Sequence, residues 1–172
     1  MAFFGRRKNR WLARLATAFP AVADRFVAGY TPREFTDIPW CPMETPVSAA
    51  RIALVTTAGV HHRRQPPFDM HDPDGDPTFR ELDGATIATD AVITHDYYNH
   101  ADADRDLNVV FPIDRLREMA DAGRIGAVAD RHYGFMGHIV GDHIPTLVRE
   151  TAPAVADRLV ADRVDAVVLT PG

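Results

Sequence analysis

Cys41 is the only cysteine in 172 residues, which excludes an internal disulfide, a Cys-x-x-Cys redox pair and a multi-cysteine zinc site. Lysine is nearly absent: Lys8 stands alone beside eighteen arginines, a coding bias rather than a functional signal. Apolar runs are short, and none approaches the ~20 residues of a membrane span. A net charge of −5 argues against a nucleic-acid-binding domain. The glycine-rich signatures of dinucleotide and P-loop sites are missing, as is the Gly-x-Ser-x-Gly elbow of α/β-hydrolases. There is no internal repeat and no low-complexity tract.

What remains is ordinary globular composition, 46% hydrophobic and 25% charged, in a chain long enough to bury roughly 70% of its unfolded surface without a staple. The charge is unevenly placed. Arg6, Arg7, Lys8, Arg10 and Arg14 all precede the first acidic residue, Asp24. Arg14 interrupts the apolar run that a secretory signal would need; a solvated basic helix start or a docking arm for an acidic partner or anionic lipid are the readings.

Trp11, Leu15, Phe19, Val22 and Phe26 recur at three- and four-residue steps, predicting an amphipathic helix that Pro20 divides. Pro32, Pro39, Pro42 and Pro46 then mark an extended connector, so residues 1–46 form a basic helical appendage and 47–172 the main domain. Within that domain, residues 51–57, 91–94 and 164–169 read as strands. Ile113, Leu116 and Met119 lie on one face of a helix from Pro112 to Ala122, with Gly123 just past its end. Residues 144–163 read as a helix in two pieces, parted near Pro153 and capped by Thr151. Strands alternating with helices predict an α/β fold, a mostly parallel sheet flanked by helices.

The stretch from Gly59 to Glu81 is long for a loop and begins where a strand ends, which is where open α/β sheets place ligands. Asp72, Asp74 and Asp76 around Gly75 resemble a calcium loop but lack its downstream glutamate, and turn chemistry explains them. The segment from Thr94 to Asp104 also follows a strand. His61, His95 and His132 with nearby carboxylates would suit a divalent metal, although no fixed ligand spacing supports one and no metal ligand is assigned. Arg80 has the planar fork that matches a substrate carboxylate.

Several segments together resemble one family, the selenoprotein B subunits of the glycine/sarcosine/betaine/D-proline reductases, with the D-proline type nearest. The resemblance runs through Ile38-Pro39-Trp40-Cys41-Pro42, residues 52–61 (IALVTTAGVH), 75–80 (GDPTFR), 94–98 (THDYY), 106–116 (DLNVVFPIDRL), 134–137 (GFMG), 150–153 (ETAP) and 164–172 (VDAVVLTPG). It implies a cytoplasmic oxidoreductase subunit that cleaves a carbon–nitrogen bond alpha to a carboxylate in a small substrate. A pyruvoyl group on a partner subunit would activate the amine, a selenol or thiol would complete the reduction, and a thiol reductant protein would regenerate it. This chain itself would carry no cofactor. The resemblance makes Arg80, Asp76, Asn108, His132, Thr170 and Gly172 substrate-binding candidates, and His61 or His95 the proton donor. In the family the selenocysteine or cysteine directly follows Thr-Pro-Gly, so the nucleophile is expected after Gly172. The chain is then read as truncated there, at a UGA codon for selenocysteine or within a longer cysteine-containing frame. Two other readings stand beside this one: a metal-dependent hydrolase or lyase built on the His/Asp loops, and a non-catalytic remnant of the same fold.

Overall fold

The structure is a computed structural model that describes residues 2–29 and 40–172. In chain order it contains α1 (Ala2–Ala18), α2 (Pro20–Ala28), β1 (Arg51–Thr56), β2 (Val60–His62), β3 (Phe79–Asp83), α3 (Ile87–Asp90), β4 (Ala91–Ile93) and α4 (Ile113–Asp121). There follow β5 (Ala127–Val128), β6 (Arg131–Phe135), α5 (His143–Thr146), a π-helical turn Leu147–Thr151, α6 (Ala152–Ala161) and β7 (Ala166–Thr170). The helix break falls at Phe19, before Pro20, where the pattern put it. Most of the proline-rich connector, residues 30–39, lies outside the described residues.

The fold is α/β. β1 pairs in parallel with β7 along its whole length, from Ile52 opposite Ala166 to Thr56 opposite Thr170. Its other edge pairs in parallel first with β5 and then with β6, and β3 adds an antiparallel strand beyond β6. β1 is buried from Ile52 through Thr56 because both sheet faces are covered, as a parallel strand requires. Its side chains alternate between two clusters. Ile52 and Leu54 join Leu82, Phe111, Ile113, Leu116 and Ile125, through which α4 packs on one face; Val55 joins Tyr133, Phe135 and Val155, through which α6 packs on the other. Each such fully buried Leu or Phe side chain contributes about 2 kcal/mol relative to exposure.

Between its two pairings on that edge, β1 has a gap. The backbone N–H of Leu54 donates to Nδ1 of His132, at 2.9 Å, instead of to a carbonyl. A histidine ring therefore completes the ladder where the chain kinks between β5 and β6.

Three local expectations change. Residues 91–94 do form a strand, β4, but it pairs antiparallel with β2 in a separate two-stranded sheet. The stretch 59–81 is not structureless, since β2 and the start of β3 lie within it. Thr151 does not cap: its backbone is helical, and its Oγ1 is buried with no hydrogen-bond partner. The helix runs on past it because the π-helical turn Leu147–Thr151 directly precedes Pro153 and accommodates its missing N–H.

Candidate functional site

All three long parallel strands point their carboxyl ends the same way, and the chain segments leaving them interlock. Thr57 N–H donates to the Thr170 carbonyl at 2.9 Å, Gly137 N–H to the Thr57 carbonyl at 2.7 Å, and Gly59 N–H to the Phe135 carbonyl at 2.8 Å. The hydroxyls of Thr56 and Thr170 both donate to the Val110 carbonyl, at 3.0 and 2.7 Å, which binds the 107–111 segment to the same end. Gly172 lies so close to Ala58 that a Cβ would run into the Ala58 backbone. Gly59 is held at φ +73°, and a Cβ there would collide with the Thr94 carbonyl. Both positions require glycine, for closeness in the first case and for closeness and conformation in the second.

Aromatic and imidazole rings gather beside this tip. Tyr98 donates its hydroxyl to the Ala58 carbonyl at 3.2 Å. The His95 ring meets Tyr98 edge-on at 4.8 Å between centroids and Tyr97 at 5.9 Å, while Tyr97 stacks on His138 at 4.0 Å. His95 Nδ1 accepts from the Tyr97 N–H at 3.1 Å, so its proton sits on Nε2. Burial, reinforced by the neighbouring His138 and His100, depresses the His95 pKa to about 4; the ring is neutral at pH 7. Burial likewise raises the Tyr98 phenol well above its ordinary value.

His61 is tied into the same region. Its Nδ1 meets the His62 carbonyl at 2.8 Å and its Nε2 the Thr94 hydroxyl at 2.9 Å, and Thr94 N–H bonds the Gly59 carbonyl. With Nδ1–H donating, Nε2 is left as an acceptor. Burial lowers the His61 pKa, with Arg80 and His62 adding to the effect, so this ring too is neutral and holds its only proton against a carbonyl.

The other sequence candidates are engaged in holding loops. Arg80 donates through Nε to the Pro66 carbonyl (2.8 Å), through one terminal nitrogen to the Pro67 carbonyl (3.1 Å) and through the other to the Thr78 hydroxyl (2.7 Å). Its guanidinium lies 4.3 Å from the Phe68 ring centroid and 3.6 Å from Asp76. Asp76 accepts from Thr78 and from Asp69 N–H; burial pushes its carboxyl up, but these bonds and Arg80 together bring it below the ordinary range. Asn108 caps α4, its Oδ1 accepting from Asp114 N–H at 3.0 Å. His132 serves β1, fully buried, with its pKa pushed down to about 4 by burial and then by Arg117.

His61 and His95 are thus linked through Thr94 and Gly59 to the end of the sheet where Gly172 lies, while the recorded bonds of His132 lie inside the sheet. Among the described residues no group of three His, Cys, Asp or Glu side chains is placed to hold a metal ion. Asp72 and Asp74 are turn formers, as their spacing predicts: Asp72 accepts from Asp74 N–H and from His143. Sequence reasoning gave no individual role to Tyr98 or His138. The Thr-His-Asp-Tyr-Tyr segment carried the signal for the first, and the Gly-Phe-Met-Gly turn beside His138, which reads as a tight turn next to a polar pocket, that for the second; the fold brings the two together.

The family model for glycine/sarcosine/betaine reductase selenoprotein B matches residues 21–172. The chain is 37% identical over 133 residues to D-proline reductase subunit gamma of Acetoanaerobium sticklandii, covering 77% of this chain and 53% of that protein. It is 32% identical over 140 residues to the glycine reductase complex component B subunit gamma of Carboxydothermus hydrogenoformans, covering 79% and 31%. The protein of the same description from Symbiobacterium thermophilum is 31% identical over 151 residues, covering 84% and 34%. The chain therefore spans about half the length of the first relative and about a third of the other two. No solved structure matches it.

Proposed function

The chain belongs to the glycine/sarcosine/betaine reductase selenoprotein B family, and from that membership we propose that it is part of a reductase-complex subunit that cleaves a carbon–nitrogen bond alpha to a carboxylate. The substrate class is a small amino acid of the D-proline kind, because the 37%-identical relative is a D-proline reductase subunit. The observation that carries the reading is a juxtaposition: residues 56–59, 134–137 and 170–172, separate in sequence and all part of the family resemblance, interlock at the carboxyl end of one parallel sheet.

Cleavage leaves one new C–H and one new N–H, takes two electrons and two protons, and converts a thiol or selenol pair to its disulfide or selenenyl sulfide. In this reading a pyruvoyl carbonyl on a partner subunit would supply the electrophile for the amine, and a selenol or thiol would supply the reducing atom. Gly172 is pressed onto Ala58, with no room for a side chain of its own. Tyr98 fixes the Ala58 carbonyl and so holds the surface against which Gly172 rests. His95, neutral and protonated on Nε2, orients a bound anion or amine by hydrogen bonding; it is not an imidazolium reservoir of protons at pH 7. His61 keeps Thr94 and the Gly59 turn in register. Arg80 and Asp76 act as the clamp of the 66–78 loop rather than as a carboxylate receptor, because the Arg80 nitrogens already have partners.

The test is affinity purification of the tagged protein from its own cells. A co-purifying subunit that is trapped by a hydrazide through its carbonyl, in a complex that opens D-proline with a dithiol as reductant, is the expected result. Recovery of the protein with no carbonyl-bearing partner and no dithiol-dependent cleavage would overturn the reading.

A further inference from the structure

The family match begins at residue 21, and α1 lies ahead of it. Its seventeen residues contain Arg6, Arg7, Lys8, Arg10 and Arg14 and no acidic residue. Arg6, Arg10 and Arg14 follow one another at four-residue steps; so do Arg7, Trp11 and Leu15, one residue further round, with Phe19 just past the helix end. Two rows a single residue apart lie about 100° apart on a helix, which makes α1 basic along one side and sets Trp11 and Leu15 along the next.

Trp11 is 61% exposed and Phe19 58%, and neither belongs to the buried clusters of the main domain. Among the described residues the ion pair between α1 and the main domain is loose: Arg10 stands 4.0 Å from Asp96, with half its side chain in solvent, and Arg10 and Arg14 line a cavity with Tyr98, His100 and Asp104.

We propose that α1 is a membrane-surface helix that seats the protein on anionic lipid, with Trp11 and Phe19 in the boundary between headgroups and acyl chains and the basic residues among the phosphates. A basic amphipathic helix of low overall hydrophobicity with aromatics on its apolar side has the chemistry of interfacial binding, and tryptophan favours that depth in particular. Charge complementarity selects lipid over an acidic protein. A protein surface has a pattern, and recognising it uses charges of both signs to fix register; α1 offers one sign only, which suits a laterally featureless anionic surface. Attachment is peripheral, since no helix among the described residues is long and apolar enough to cross a membrane.

The probe is phosphatidylcholine vesicles with and without about one-third phosphatidylglycerol, the anionic lipid providing the surface potential. Trp40→Phe leaves Trp11 as the sole tryptophan, so its emission reports on α1 directly. The full chain should co-sediment with the anionic vesicles, release as salt shortens the Debye length to about 3 Å near 1 M, and show blue-shifted Trp11 emission when bound. Arg7→Gln with Lys8→Gln should weaken partitioning on the order of twentyfold, at about fivefold per basic residue, with the far-UV circular dichroism in solution unchanged. Equal partitioning to neutral vesicles would overturn the proposal. So would an unmoved Trp11 emission with no co-sedimentation, including the case in which an acidic protein captures α1 instead.

Discussion

His132→Leu isolates what a buried histidine does inside this sheet. The substitution removes Nδ1, the acceptor for Leu54 N–H, in a setting where both residues are fully buried. An orphaned buried amide costs about 1–3 kcal/mol, so the variant should be less stable than the parent by that amount at pH 7.5. His132→Asn should recover part of the loss, because its side-chain oxygen can accept the same hydrogen bond. The pH dependence runs the other way. The unfolded His132 takes up a proton near pH 6.5 and the folded one only near pH 4, so between those values the unfolded state holds more protons and stability falls as pH falls. By linkage the wild type loses about 2.5 kcal/mol through this residue between pH 7.5 and 4.5. His95, depressed to the same value, adds a loss of similar size. Urea unfolding followed by far-UV circular dichroism at the two pH values measures both effects. His132→Leu should start lower at pH 7.5, lose about 2.5 kcal/mol less than wild type on acidification, and converge with it at pH 4.5. A variant as stable as wild type at pH 7.5, or one with an undiminished acid loss, would refute the ladder role.

Gly59→Ala places a Cβ at φ +73° against the Thr94 carbonyl and should lower the melting temperature by several degrees, as a change of about 1–3 kcal/mol does in a domain of this size; an unchanged melt would remove the reason for glycine there. Arg80→Ala frees the Pro66 and Pro67 carbonyls and uncovers Phe68, so limited proteolysis should cut the 63–78 loop faster while the sheet stays protected; an unaltered digestion pattern would mean that the loop is held by other contacts. Tyr98→Phe deletes the bond to the Ala58 carbonyl and should cost only about 0.5–1.5 kcal/mol of stability, measured by urea denaturation; a loss several times larger would show that the ring, rather than its hydroxyl, secures the tip.

The elements that sequence marked well were those whose determinants are local. β1 and β7 are short apolar runs, and α4 carries Ile113, Leu116 and Met119 on one side. β6 was hidden because two of its buried positions hold His132 and Gly134. Each is explained only by a distant neighbour: the ring by the missing ladder bond at Leu54, the glycine by the Val60 carbonyl packed against it. β3 was hidden because Arg80 and Glu81 give it the polarity of an edge strand. The same contrast holds at the site. His61, His95 and Gly172 were legible in their segments, but the cluster of Tyr97, Tyr98 and His138 beside His95 exists only once the 94–98 and 136–138 segments meet. Arg80 looked like a substrate ligand because its type fits carboxylates, and sequence does not show that its donors face the Pro66 and Pro67 carbonyls.

The claim that the carboxyl end of β1, β6 and β7 is where the chemistry occurs is tested most directly by dithiol-dependent cleavage of D-proline in the complex purified from its own cells. The comparison is between wild type, His95→Ala and Tyr98→Phe at the tip, and Arg124→Ala just after α4. The tip assignment predicts a fall of at least tenfold in kcat for His95→Ala, roughly what one lost hydrogen bond to the reacting groups is worth, and a smaller fall for Tyr98→Phe, whose hydroxyl positions the Ala58 carbonyl, with the complex still assembled and Arg124→Ala at wild-type rate. Full activity in both tip variants, with the complex intact, would contradict it.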